Sequence, residues 1–297
     1  MRLFTLLVAI SALFAISSCT VSKQVKQLKY DAQKAFDAED YQAAFVSYEK
    51  IISLNSERNK KVDGVVYRNA GIAASEVGET HKAIDYLENA KQHGAANART
   101  LSSLAKAYLE IDNLSREINN LQEYIEHYPQ GEEIEQVRRQ LFIAYVESTN
   151  WQPAIELWDK LEASHKEEAK VLTGYLKTLR ALERPENIIN LAKKINKIEP
   201  NNIDALEVLA TEYYRIAEDS YQTEMKAYEQ NRTNRQYRQL LAALEVINAN
   251  FRTSRDYFEK LYKLDPNPRY ATFLGNIYTR FDNKKQADYY YKKAKGE

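Results

Sequence analysis

The chain reads as all-α, an array of stacked helical hairpins. Three observations predict this. Only 8 Gly and 6 Pro occur in 297 residues, too few for the many tight turns of a β-rich chain. Apolar and small residues recur three and four apart over most of the length, the spacing of one helix face. That pattern itself returns with a period of about 34 residues from residue 23 to the end, the mark of a repeat architecture in which each unit buries its apolar face against its neighbours.

Composition narrows the function classes. With 28% charged and 44% hydrophobic residues, the chain is neither a disordered tail nor a membrane-embedded bundle. Lys+Arg and Asp+Glu are both 42, which argues against a general nucleic-acid binder. The single Cys excludes a disulfide framework and a cysteine-based zinc cluster.

The first element is a leader. Met1-Arg2 is a short positive region, and Leu3 to Ile16 is apolar apart from Thr5 and Ser11. A bilayer span takes about 20 residues, so this shorter run suits the core of a secretory signal peptide. It ends Ile16-Ser17-Ser18-Cys19, an aliphatic residue, two small residues and a cysteine. This resembles the lipobox of bacterial lipoproteins, which implies cleavage before Cys19 and acylation of that residue. Residues 1–18 are therefore expected to be a lipoprotein signal peptide and 19–22 a lipidated tether. Thr20 is not the Asp that, by the resemblance, retains a lipoprotein in the inner membrane, so an outer membrane facing the periplasm is expected. The first helix is predicted to begin near Ser22 or Lys23, leaving a tether of at most roughly 14 Å. Lys23, Lys26, Lys29 and Lys34 lie on that helix where they would favour anionic head groups, and a simply solvated Lys-rich helix stands equally beside that reading.

The repeats follow in order. The first carries Leu28, Ala32 and Ala35, then Tyr41, Ala44 and Tyr48. The second carries Tyr67, Ala70, Gly71 and Ala74, then Ala83, Leu87 and Ala90. The third has Leu101, Leu104, Ala105 and Tyr108, then Leu121, Tyr124 and Pro129. The fourth has Leu141 and Tyr145, then Trp151, Ala154, Trp158 and Leu161. The fifth has Leu172, Tyr175 and Leu179, then Ile188, Ile195 and Pro200. The sixth opens with Leu206, Leu209, Ala210 and Tyr213 and closes with Phe258, Leu261 and Pro266. The last has Phe273-Leu274-Gly275-Asn276-Ile277-Tyr278, then Ala287, Tyr291 and Ala294. Small residues recur where two helices of a unit would cross, and rings recur around them.

This pattern resembles the tetratricopeptide repeat, a helix–turn–helix unit of about 34 residues. The resemblance implies a right-handed α-solenoid of about seven hairpins over residues 23–297. Asp31, Glu117, Phe142 and Ile188 depart from it, each standing where the repeat favours another residue type. The sixth unit carries roughly 32 extra residues between its halves, free of Gly and Pro and still periodic (Tyr221, Met225, Tyr228, Tyr237, Leu240, Leu244, Ile247, Phe251). Within 204–264 the spacing predicts two long helices, Asp204–Gln230 and Arg235–Leu264, joined at Asn231–Asn234 and projecting about four turns beyond the array.

In this family the first helix of each unit lines a concave face that binds protein segments. Carried over, the basic residues there are Lys26, Lys29, Arg68, Arg99, Lys106, Arg139, Lys170, Lys177, Arg180, Arg215, Arg269 and Arg280. The acidic ones are Asp37, Glu76, Glu110, Glu147, Asp204 and Glu207. With Asn69 and Asn276, the basic set suggests a groove with a basic bias for acidic partner segments. Charged residues also sit on any solvated helix face, and that reading stands beside it.

No nucleophile elbow, phosphate-cradling loop or H-E-x-x-H is present, so neither enzymatic activity nor a cofactor is expected. His93, His127 and His165 are placed near the ends of second helices, where they would meet the last carbonyls. Tyr289-Tyr290-Tyr291 cannot all face one side of a helix. The function read from the sequence is a membrane-anchored scaffold of the bacterial envelope for outer-membrane, secretion or cell-wall assembly. The alternative is a periplasmic small-ligand carrier or sensor.

Overall fold

The computed structural model describes residues 22–184 and 187–297. The leader and Cys19 lie outside them. The described residues are helical with short connections and contain no strand. The chain divides into two compact units, Met1–Ser148 and Thr149–Glu297.

The first unit holds α1 (22–37), α2 (Tyr41–Ser56), α3 (Gly64–Glu76), α4 (Thr80–Gln92), α5 (Ala98–Glu110), α6 (Leu114–His127) and α7 (Ile134–Glu147). Each helix packs antiparallel against the next. Helices start where the sequence offers caps: Asp40, Asp63 and Asn113 accept from backbone N–H groups, and Asn97 with Thr100 forms a capping box. The turn inside each hairpin is equally regular. Glu39, Gly78 and Asp112 adopt φ of 58°, 79° and 54°. Each is followed by a six-to-one backbone bond, Asp40 N to Ala35 O, Glu79 N to Ala74 O and Asn113 N to Tyr108 O, all at 2.9 Å.

The hairpins cross at small residues. A Cβ at Gly71 would lie 2.6 Å from Leu87 Cγ and 2.9 Å from its backbone nitrogen, so α3 and α4 approach as closely as two backbones can. Ala70, Ala73, Ala74, Ala83 and Leu87 complete a dry core with Tyr48, Ile51 and Tyr108. The departures are accommodated. Phe142 is fully buried, and the buried Glu117 accepts from Gln140 Nε2 at 3.0 Å.

Tyrosine hydroxyls tie hairpins together by donating to carboxylates: Tyr108 to Glu88 at 2.7 Å and Tyr86 to Glu49 at 3.2 Å. Burial, then the Glu88 bond, pushes Tyr108 from 10.0 up to about 12.

The second unit holds α8 (Trp151–Trp158), a 3-10 turn (His165–Glu167), α9 (Ala169–Ala181), α10 (Ile188–Ile198), α11 (Ile203–Gln230), α12 (Asn234–Leu264), α13 (Pro268–Arg280) and α14 (Lys284–Ala294). The same turn recurs at Glu183 and Asp282, with Arg184 N to Leu179 O and Asn283 N to Tyr278 O at 2.9 Å. Trp158 stacks on Tyr175 with centroids 3.8 Å apart. A Cβ at Gly275 would lie 2.6 Å from the Tyr291 ring. The three consecutive tyrosines diverge as their spacing requires: Tyr290 stacks on Tyr278, Tyr291 covers Gly275, and Tyr289 is exposed.

One expectation fails at His165. α8 ends at Trp158, so this histidine sits in the 3-10 turn, nearly buried, with Nδ1 2.8 Å from Glu168 Oε1. His93 and His127 do meet carbonyls, those of Asn89 at 2.7 Å and Glu123 at 3.0 Å.

The long hairpin forms as expected, α11 of 28 residues and α12 of 31, joined by Asn231–Thr233. Ile247, Phe251 and Ala217 are buried along its seam, and the buried Ser254 hydroxyl donates to Ala210 O at 2.8 Å. The end of α13 packs on α11, with Arg280 donating to both Glu218 oxygens at 2.5 and 2.7 Å and lying 4.0 Å over the Tyr221 ring. Only Gln222–Gln230 and the facing part of α12 extend past that contact, about 13 Å at ~1.5 Å per residue.

Two predictions follow from this packing. Gly71→Ala overpacks the α3–α4 crossing and lowers stability by about 1–3 kcal/mol, read as a fall in the urea midpoint. In the alkaline range, Tyr108 holds its proton more tightly folded than unfolded. Its contribution is therefore complete below pH 10 and lost as pH rises towards about 12. Urea midpoints should fall across that window, and Tyr108→Phe should lessen the slope.

Candidate binding face

Odd-numbered helices form the inner wall of each unit: α3 touches α5 and α9 touches α11, besides the even helices beside them. In the first unit this wall encloses a groove of about 240 Å³ lined by Ser75, Glu76, Arg99, Ser102, Ser103, Lys106, Glu133, Gln136, Val137 and Gln140. Three serines keep the lining low between α3 and α5, and the α7 glutamines, spaced i and i+4, present amides along one side. The lining side chains are mostly polar, though their stems leave apolar surface between them, and the open channel suits an extended backbone.

Of the expected site residues, the structure brings Arg99 and Lys106 together here. Arg99 is held in place. Nη2 meets Glu76 at 3.1 Å and donates to Tyr41 OH at 2.8 Å, and the guanidinium lies over the Phe36 and Tyr41 rings. Lys106 is exposed and has no carboxylate within 4.0 Å among the described residues.

Asn69 does not belong to the groove. It is only 4% exposed, and its Nδ2 donates to Gln33 Oε1 and Tyr48 OH, both at 3.1 Å. Arg68 is turned to Asn69 Oδ1 at 3.2 Å and the Ala95 carbonyl at 3.4 Å. Arg139 is half-buried on α7 and Lys170 exposed at the start of α9; neither is without partners.

In the second unit the inner cations are paired. Lys177 meets Asp204 at 3.0 Å. Arg180 and Arg269 converge on Glu207 at 3.3 and 2.8 Å. Arg215 meets Glu212 and Asp219 on its own helix, and Arg280 meets Glu218. Asn276 accepts from Tyr291 OH at 3.0 Å. The basic bias of the inner-face positions is thus largely neutralised by acids on the next odd helix. Ser75, Ser102, Ser103, Gln136 and Gln140 were not singled out from sequence, because small and amide residues carry no charge signal.

No group of three His, Cys, Asp or Glu among the described residues could hold a metal ion, and none of their helices is long and apolar enough to cross a membrane.

Comparison with known proteins gives limited likenesses. No family model matches the chain. It is 31% identical over 112 residues to a small glutamine-rich tetratricopeptide repeat-containing protein 2 from Mycosarcoma maydis; this covers 38% of the chain and 28% of that relative. Among solved structures it resembles YrrB, a TPR protein with an unusual peptide-binding site (TM-score 0.48, 18% identity, 63% of this chain and 96% of that one). It also resembles the C-terminal part of a TPR repeat-containing protein from Cytophaga hutchinsonii (TM-score 0.49, 15% identity, 90% and 93%). A third likeness is to a tetratricopeptide repeat protein from Parabacteroides merdae (TM-score 0.45, 14% identity, 92% and 93%).

Asn69→Ala should lower the urea midpoint by the equivalent of about 1–3 kcal/mol, because it leaves Gln33 and Tyr48 without their shared donor. An unchanged midpoint would return Asn69 to the binding face.

The repeating register of small crossings, ring packing and hairpin turns is that of an all-α solenoid of tetratricopeptide-type helical hairpins.

Proposed function

We propose that this chain is a membrane-anchored interaction scaffold of the bacterial cell envelope, and that the groove across α3, α5 and α7 takes an extended segment of a partner protein. The observation that carries the binding reading is the groove itself: an open channel lined mostly by serine, glutamine and charged side chains, with an unpaired Lys106 and a pre-positioned Arg99. Such a surface recognises a backbone with amides and hydroxyls, and an acidic side chain or terminal carboxylate with its cations. The groove is open on one side, which fits a peptide segment better than a small ligand that a carrier must enclose. Anchoring is supported by Ile16-Ser17-Ser18-Cys19 behind an apolar run, and the outer membrane by Thr20. Partners would be envelope proteins that present acidic segments to the periplasm.

Photoreactive residues in place of Ser102 or Gln136 should crosslink a defined partner in cells, while one in place of the exposed Val46 on α2 should not. Lys106→Glu should lower that yield about tenfold, since charge reversal in a recognition groove sets like charges together. Equal adducts from all three positions, or an unchanged yield with Lys106→Glu, would defeat the groove assignment. Cys19→Ala should abolish palmitate labelling and release the chain from the membrane fraction.

A further inference from the structure

The end of the long hairpin gathers exposed cations around a single turn. Elsewhere in the unit Arg180, Arg215, Arg255, Arg269 and Arg280 are held in ion pairs, while Arg184 and Arg252 stand exposed and apart from one another. Arg232, Arg235 and Arg238 are exposed, and none has a carboxylate within 4.0 Å among the described residues. Lys226 lies nearby on α11 and is equally unpaired. Glu224 and Glu229 are the acids of the same stretch, so the tip keeps an excess of positive charge.

Apolar surface accompanies the cations. Tyr237 and Leu241 are 47% and 46% exposed, one helical turn apart on α12, with the Tyr237 ring 5.8 Å from that of Tyr228. Among the described residues, no hydrogen bond, ion pair or ring contact joins the hairpin beyond Tyr221 to another helix of the unit. From the turn inward the order is Arg232, Arg235, Tyr237, Arg238, Leu241. All lie within about 10 Å of the tip at ~1.5 Å per residue.

We propose that this tip docks on an anionic lipid bilayer. A planar array of lipid phosphates satisfies several cations at once and requires no shaped pocket. The depth of the apolar pair matches the roughly 5–10 Å over which amphipathic elements enter the interface. Arginine stems lie along apolar surface with their heads among phosphates, and tyrosine favours the same boundary. Cationic segments are drawn to anionic leaflets by their charge. The contact is independent of Cys19.

The test is vesicle flotation with a chain beginning at Thr20, which lacks leader and anchor but keeps every described helix. At low ionic strength it should float with vesicles of about 30% phosphatidylglycerol in phosphatidylethanolamine and not with phosphatidylcholine alone. The triple variant Arg232→Gln, Arg235→Gln, Arg238→Gln should lose at least about tenfold in partitioning, and the corresponding triple Lys variant should keep most of it. Tyr237→Ala with Leu241→Ala should also weaken flotation, and circular dichroism should show all variants folded. Flotation that ignores phosphatidylglycerol, or a triple Gln variant that floats like the parent, would overturn the proposal. So would a tip-dependent dimer, or a tip-dependent complex with an acidic protein, in the absence of flotation.

Discussion

The close approach of paired helices at small residues is the constraint on which the rest of the structure depends. At Gly71 there is no room for a Cβ against Leu87, and at Gly275 none against Tyr291. Once two backbones sit this close, the surrounding positions must be filled by larger groups, and the rings and leucines of each unit do so. The hairpin turn serves the same geometry. A left-handed residue followed by a six-to-one bond reverses the chain in the fewest residues and starts the second helix against the first. Of the turns at residues 39, 78, 112, 183 and 282, only the second uses glycine. The others tolerate mild backbone strain because helix packing over-determines them.

The inner faces show how the same scaffold serves two ends. In the second unit, cations on one odd helix meet carboxylates on the next, which consumes the positive charge that the helix positions offer. Individually such exposed pairs contribute little to stability. Their larger effect is on the field, since a paired cation is a poor lure for an acidic ligand. In the first unit the groove between α3, α5 and α7 retains Lys106, and the serines beside it leave space where larger residues would close the channel.

Among the described residues, the long hairpin reverses at Asn231–Thr233 with no left-handed residue. Its helices continue past the point where other units reverse, and the seam stays apolar through Phe251, Ile247 and Leu240. Because α13 braces α11 only as far as Tyr221, the remaining length stands clear and keeps its charges unpaired.

Helix identity, the order of the hairpins and, to within a residue, the bounds of the two long helices were decided by the sequence itself. These features rest on spacing and capping within a few residues: Ala70, Gly71 and Ala74 on one side, Ala83, Leu87 and Ala90 on the other, and Asn231–Thr233 as the polar break. The fate of the candidate binding residues was decided only by tertiary structure. Arg180 meets Glu207 across 27 positions, and Arg280 meets Glu218 across 62; no local pattern encodes such partners. Asn69 looked like a groove residue by register but turns to Gln33 and Tyr48, because a buried amide must find partners wherever the fold supplies them. His165 left its expected helix because α8 stops after two turns. Helical periodicity is a one-dimensional signal and survives in the sequence; charge pairing and burial depend on which helices meet, and appear only when the chain is folded.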